Sequence, residues 1–273
     1  MELFRTQKLN DHLVRLYDIT DVQMYLVIGR HTAALIDTGC GFGDLYGTVR
    51  QLTDKPVIVL LTHGHVDHAM GAASIDMVYM NRMDVPVFLE HSQETMRMDY
   101  VKQGERFESA ALEAMLPPPS SDHFLPVGDN TVFDLGGLHV RRFTCPGHTP
   151  GSMCVLLEED RILISGDACN PFTYLFLPEC QPVSAYRDSL ACLKKQVSGR
   201  FDSVFFSHGV TDGQVSILSD ALSLCDQILK GDADGEQEWT FMDSRGIIAK
   251  PVDENLLRRD GVLMNIVYNP LRL

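Results

Sequence analysis

Along the first sixty positions, apolar residues come in short β-branched runs broken by glycine and charge. Met24–Gly29 and Thr32–Asp37 are two such runs, and the Gly29-Arg30-His31 step between them predicts a hairpin. The second run closes on Asp37-Thr38-Gly39-Cys40-Gly41, a turn signal. Helical spacing follows over about Asp44 to Leu52, and Asp54-Lys55-Pro56 ends it. Val57-Ile58-Val59-Leu60-Leu61 is continuously apolar, as expected of a strand covered on both faces. It empties into Thr62-His63-Gly64-His65-Val66-Asp67-His68, and a polar cluster at the end of a buried strand is where α/β sheets place their chemistry.

The pattern changes over about 77–121, which is expected to be a helical, methionine-rich insertion. Within it Val85–Glu90 is expected as a strand, with helix continuing through Leu116, and Pro117-Pro118-Pro119-Ser120-Ser121 is a firm stop. Met77, Met80, Met83, Met96, Met98 and Met115 suit a lid, a homodimer surface or ordinary core packing equally. Strands are then expected over Thr131–Leu135, Leu138–Thr144, Met153–Leu157, Arg161–Ser165 and Ser203–Phe206. Helices are expected over Ser184–Val197 and Gln214–Leu229, and a last strand within Val262–Tyr268. Sheet and helix thus alternate twice, which suggests two βα halves packed helix–sheet–sheet–helix in one α/β domain spanning 1–273.

Composition narrows the partners. A chain of 273 residues with 45% hydrophobic and 22% charged residues is ordinary for a globular enzyme. A formal charge of −14 argues against non-specific nucleic-acid binding, which needs basic surface. No apolar run approaches the ~20 residues needed to span a bilayer, and the first eight residues lack the apolar core of a secretory leader. Seven cysteines, odd in number and scattered, suit a reducing cytoplasm better than a disulfide framework. A small-molecule substrate is the expected partner.

The chemistry concentrates in His63, His65, Asp67 and His68, four metal-competent side chains within six positions of a chain with ten histidines. On an extended segment His63 and His65 point the same way and can grip one cation, while Asp67 and His68 can grip another. The alternative is a polar loop whose side chains satisfy backbone groups. Such a cluster needs partners from elsewhere, and three residues sit where an apolar strand enters a glycine-containing turn: His148 in Cys145-Pro146-Gly147-His148-Thr149-Pro150-Gly151, Asp167 in Ser165-Gly166-Asp167, and His208 in Ser207-His208-Gly209. Singly, each suits a hydrogen-bonded turn as well.

Taken in order, His-x-His-x-Asp-His, Pro-Gly-His, Gly-Asp and Ser-His-Gly resemble the metallo-β-lactamase superfamily over about Leu35 to Gly209. The resemblance implies a four-layer αββα sandwich and a dinuclear centre. His63, His65 and His148 would hold the first metal, Asp67, His68 and His208 the second, with Asp167 bridging. Two divalent ions are implied, zinc foremost, with iron or manganese as alternatives. Asp37 matches a position that supports such ligands from behind, although an Asx turn explains it equally well. A hydroxide shared by two metals would be the nucleophile, and Asp67 would accept its hydrogen bond or take its proton.

Departures from particular branches point to a substrate class. The bridging position holds Asp167, not cysteine as in the better-known zinc β-lactamases, and His65 is not the glutamate of the diiron flavoproteins. Ala168–Leu177 has none of the basic residues with which glyoxalase II-like enzymes grip glutathione. That segment instead offers Phe172, Tyr174 and Phe176, expected either as an apolar pocket wall or as the packing face of a core strand. The leading expectation is therefore a zinc hydrolase of a small ester, thioester or lactone. A phosphodiesterase and a mononuclear iron oxygenase are the alternatives.

Overall fold

The computed structural model describes residues 3–102 and 114–273, in two compact units, 1–142 and 143–273. In the first unit a seven-stranded sheet runs in chain order. Its strands are β1 (Arg5–Lys8), β2 (Leu13–Tyr17), β3 (Gln23–Ile28), β4 (Ala33–Ile36), β5 (Val57–Leu60), β6 (Val78–Met80) and β7 (Leu125–Pro126). The first four form an antiparallel meander, and β4 through β7 are parallel. Between β4 and β5 the chain crosses by helix α1 (Leu45–Leu52). Asp44 caps it by accepting from the Gly47 N–H at 2.7 Å, and Leu45 and Val49, one turn apart, face the core. That core gathers Leu16, Met24, Leu26, Leu35, Val59 and Leu61. β5 is buried except at its first residue, as its uninterrupted apolar pattern requires.

A short helix, α2 (Val66–Ala69), follows β5. The expected strand over Val85–Glu90 is instead α3 (Val85–His91), entered through a single 3₁₀ turn at Arg82–Asp84. The reason lies in two local features. Pro86 occupies the first helical turn, where its missing N–H costs nothing. The buried positions Asp84, Val87 and Phe88, with half-buried His91, recur at helical spacing rather than alternating. Helix α4 (Glu94–Lys102) follows. Of the insertion expected over 77–121, positions 103–113 lie outside the described residues. The unit closes on β8 (Val132–Asp134), which pairs antiparallel with β9 (His139–Thr144).

The second unit holds β10 (Met153–Leu157), β11 (Ile162–Gly166), β12 (Phe172–Leu175), α5 (Val183–Val197), β13 (Ser203–Phe206), β14 (Asp212–Gly213), α6 (Ile217–Lys230), β15 (Glu238–Phe241), β16 (Ser244–Ile248) and β17 (Asn265–Tyr268). β10 and β11 are antiparallel, β11 and β13 parallel, and β14 finishes that edge antiparallel to β13. A separate sheet, ordered β12-β17-β16-β15, contains the tail, with β12 and β17 parallel. One core joins Leu156, Leu163, Val204 and Phe206 to Tyr186, Leu190, Leu193 and Val197 of α5 and Leu218, Leu224 and Ile228 of α6. Burying each such side chain contributes roughly 1.5–3 kcal/mol.

Candidate metal centre

The segment from Thr62 to His68 starts where β5 ends, beside the end of the parallel strand β4, and runs into α2. Extended backbone sends alternate groups in opposite directions, and this segment uses both. The N–H groups of Thr62, Gly64 and Val66 reach side chains of three other elements. Thr62 donates to Asp37 Oδ1 at 2.7 Å, Gly64 to Asp84 Oδ2 at 2.8 Å and Val66 to His91 Nδ1 at 3.3 Å. His63, His65, Asp67 and His68 are all buried. The His63 ring lies 4.7 Å from that of His65 and 4.1 Å from that of His68, centroid to centroid. Gly64 has no alternative at this point, because a Cβ would meet the Asp84 carbonyl oxygen at 2.8 Å and the Phe88 nitrogen at 2.9 Å.

Asp37 follows β4 with φ +62°, a left-handed conformation that aspartate tolerates better than most residues. Its carboxylate accepts from Thr62 Oγ1 at 2.8 Å and meets His68 Nδ1 at 2.8 Å. A carboxylate only accepts, so Nδ1 of His68 carries the proton. Nε2 of a neutral His68 then presents a lone pair, and it lies 3.5 Å from Asp67 Oδ2. Asp67 also meets Tyr100 on α4, whose phenol donates to Asp67 Oδ2 at 2.6 Å. Burial and the nearby Asp67 charge push the Tyr100 phenol well above its ordinary value, which keeps it a donor. His91 also stacks on His65, centroids 4.4 Å apart and planes inclined by 17°.

In the second unit the same chemistry recurs. Asp167 and His208 follow the neighbouring parallel strands β11 and β13, and His208 Nε2 lies 3.1 Å from Asp167 Oδ2. His148, buried in the β9–β10 loop, directs Nδ1 at the Tyr174 carbonyl oxygen at 2.9 Å. A carbonyl accepts, so Nδ1 is the donor and Nε2 offers a lone pair, 3.7 Å from Asp167 Oδ2. Tyr186 of α5 packs behind the turns that carry His148 and Asp167. Its hydroxyl donates to the Ala168 carbonyl at 2.8 Å, and its ring lies so near Gly147 that a Cβ there would meet Cδ2 at 2.1 Å. A side chain before His148 would therefore displace the ligand turn.

In both units imidazole nitrogens lie 3.1 to 3.7 Å from carboxylate oxygens, separations that suit two ligands of one cation. The donor set is imidazole and carboxylate throughout, which fits zinc and neighbouring divalent metals. Asp84, His91, Tyr100 and the Tyr174 carbonyl were not identified from the sequence. None belongs to a motif, and each reaches the site through tertiary packing alone.

Phe172, Tyr174 and Phe176 gather around aromatic residues of the tail. Trp239 Nε1 donates to the Tyr174 hydroxyl at 2.9 Å, and Phe172 packs edge-on to Trp239 at 5.2 Å. Tyr174 lies 5.0 Å from Phe176 and 5.5 Å from Phe241. Phe172 and Tyr174 are half-buried, whereas Phe176 is buried with Ile248, Val252 and Val267.

The profile of the metallo-beta-lactamase superfamily matches residues 18–208. The chain belongs to that superfamily. A probable metallo-hydrolase of Bacillus subtilis is 28% identical over 143 residues, covering 52% of this chain and 64% of the relative. An atrochrysone carboxyl ACP thioesterase of Aspergillus chevalieri is 26% identical over 186 residues, covering 66% of this chain and 49% of that protein. The chain spans 58% and 64% of the Aquifex aeolicus and Bacillus subtilis relatives it matches. Among solved structures, a metallo-β-lactamase from Pontibacter korlensis superposes with a TM-score of 0.57 at 18% identity, over 82% of this chain and 99% of its own. The fold is thus α/β of the metallo-β-lactamase type, as the sequence motifs led one to expect. Among the described residues, no helix is long and apolar enough to cross a membrane.

Proposed function

We propose that the chain is a dinuclear metal-dependent hydrolase of small esters, thioesters or lactones, with zinc as its metal. His63, His65 and His148 take the first ion, Asp67, His68 and His208 the second, and Asp167 serves both. The observation that carries the reading is the pairing of an imidazole lone pair with a carboxylate oxygen in each cluster, 3.5 Å apart at His68 and Asp67 and 3.7 Å apart at His148 and Asp167. Paired divalent ions supply a hydroxide nucleophile near neutral pH and a Lewis acid for the substrate oxygen.

The chain's own residues then have defined tasks. Asp37 and the Tyr174 carbonyl keep the Nδ1 protons of His68 and His148 in place, which fixes Nε2 as the ligating nitrogen. Asp67, through Oδ1, can accept a proton from the attacking water. Phe172 and Tyr174 offer half-buried aromatic surface to an apolar acyl group, and the lack of lysine and arginine over 168–177 disfavours an anionic one. The thioesterase among the relatives supports the carbonyl-ester class over phosphorus.

Elemental analysis of gently purified protein tests the reading, together with a panel of aryl esters, acyl thioesters, lactones and phosphodiesters. Two zinc ions per chain and turnover of a carbonyl ester are expected. One iron per chain would replace hydrolysis by oxygenation, and turnover confined to phosphodiesters would overturn the substrate class.

A further inference from the structure

Helix α4 is tied down at one residue and delivers a donor at another. Arg97, 1% exposed, donates to the Leu116 carbonyl at 2.7 Å and to the carbonyls of Cys40 and Gly41 at 3.2 Å each. Its guanidinium also lies over the Phe42 ring, 5.8 Å from the centroid. Tyr100 is three positions on, so it emerges from the same face of the helix. Cys40 and Gly41 belong to the loop that leaves Asp37, the residue holding His68 Nδ1. One anchored helix is therefore coupled to both members of the Asp67–His68 pair, to His68 through the Asp37 loop and to Asp67 directly.

The contact at Asp67 is selective. Oδ2 accepts the Tyr100 hydroxyl at 2.6 Å and is also the oxygen nearest His68 Nε2. A carboxylate oxygen has two lone-pair directions. The phenol on one of them steadies the carboxylate against rotation about its Cβ–Cγ bond and keeps Oδ2 on the side of His68. Without the phenol the carboxylate gains rotational freedom, and ordering it would cost binding free energy.

We propose that Tyr100 is the positioning residue of the second metal site: it holds the Asp67 carboxylate in the orientation that lets Asp67 and His68 take a cation together. The inference rests on the dinuclear reading above. It assigns α4, which carries no ligand, a direct influence on how tightly one ion of the pair is held.

The test is zinc titration of the full chain after chelator treatment, wild type against Tyr100→Phe, in competition with a chromophoric chelator. The variant removes one oxygen and keeps the ring. The first equivalent should bind as in wild type, and the second should bind roughly 10- to 100-fold more weakly, the usual effect of losing a partner behind a metal ligand. With cobalt in place of zinc, the absorption added by the second equivalent should shift in the variant and that of the first should not. Unchanged binding of both equivalents overturns the inference, and so does equal weakening of both, which would assign Tyr100 to the fold at large. A wild-type chain that takes up only one equivalent overturns the dinuclear reading itself and this inference with it. Should the variant not fold, the wild type carries the test: the tyrosine ultraviolet difference spectrum should respond to the second equivalent and not to the first, and silence at the second refutes the proposal.

Discussion

Asp37→Asn isolates the group that holds His68. The substitution is nearly isosteric, and asparagine tolerates the φ of +62° at this position about as well as aspartate, so backbone strain stays constant. What changes is the hydrogen-bond arithmetic. The carboxylate takes the Thr62 N–H on Oδ1, and on Oδ2 it takes the Thr62 hydroxyl and His68 Nδ1. A side-chain amide offers one acceptor and one donor atom, so either of its two orientations sets a donor against a donor. If the amide nitrogen faces Thr62 N–H, a buried backbone donor loses its acceptor. If it faces His68, the imidazole must move its proton to Nε2, the nitrogen required by the metal. Either outcome costs about 2–3 kcal/mol at a buried site. For a chain of this size that lowers the midpoint of metal-free thermal unfolding by about 4–12 °C. The tautomer change predicts in addition a roughly 10- to 100-fold weaker second zinc equivalent. Calorimetry in chelator measures the first effect and competitive zinc titration the second. A D37N protein that melts with wild type and binds both equivalents normally would refute this account of Asp37.

His208→Ala should remove about one of the two metal equivalents and most turnover, measured by elemental analysis and ester hydrolysis; full metal content with full rate would refute its assignment. Tyr174→Phe removes the acceptor of Trp239 Nε1 but keeps the carbonyl facing His148, so metal content should stay at wild type, while KM for apolar esters rises and stability falls by about 1 kcal/mol. Arg272 donates to the carbonyls of Phe176, Leu177, Pro178 and Cys180, and Arg272→Ala should lower stability by about 2 kcal/mol, seen as an earlier denaturant midpoint. Arg161 donates to both oxygens of Asp202, at 2.7 and 2.8 Å, and holds that carboxyl below its usual value of 3.8. A depressed folded-state value stabilises above the unfolded pKa and is lost as pH falls through the folded one. Asp202→Asn should therefore be less stable than wild type at neutral pH, with the difference closing in acid. A constant offset across a pH series would contradict the assignment.

The candidate ligands were legible in the sequence because a metal site dictates residue types, and four of the seven candidates sit together behind one buried strand. The α/β alternation was legible for the same reason as β5: strands covered on both faces cannot disguise their apolar runs. β1 was invisible because Arg5–Lys8 is exposed along its length and has no apolar face to betray it. α3 was misread because Val-Pro-Val-Phe-Leu satisfies a strand template locally, while its true period includes buried Asp84 and half-buried His91, which no hydrophobic count registers. Asp84, His91 and Tyr100 left no trace for a further reason. Their partners lie 20 to 33 positions away and are chosen by the packing of helices that share no motif with the loop they serve.

The way Thr62, Gly64 and Val66 place their N–H groups has a consequence for solvent exchange. A loop beside an active centre ordinarily trades its amide hydrogens within moments, whereas sheet amides hold theirs until the structure opens. Here Asp37, Asp84 and His91 act as a strand made of side chains, offering three acceptors in succession to the N–H groups of Thr62, Gly64 and Val66. Deuterium should therefore enter these three positions on the timescale of β5 itself, and replacing any one acceptor should release its own amide first.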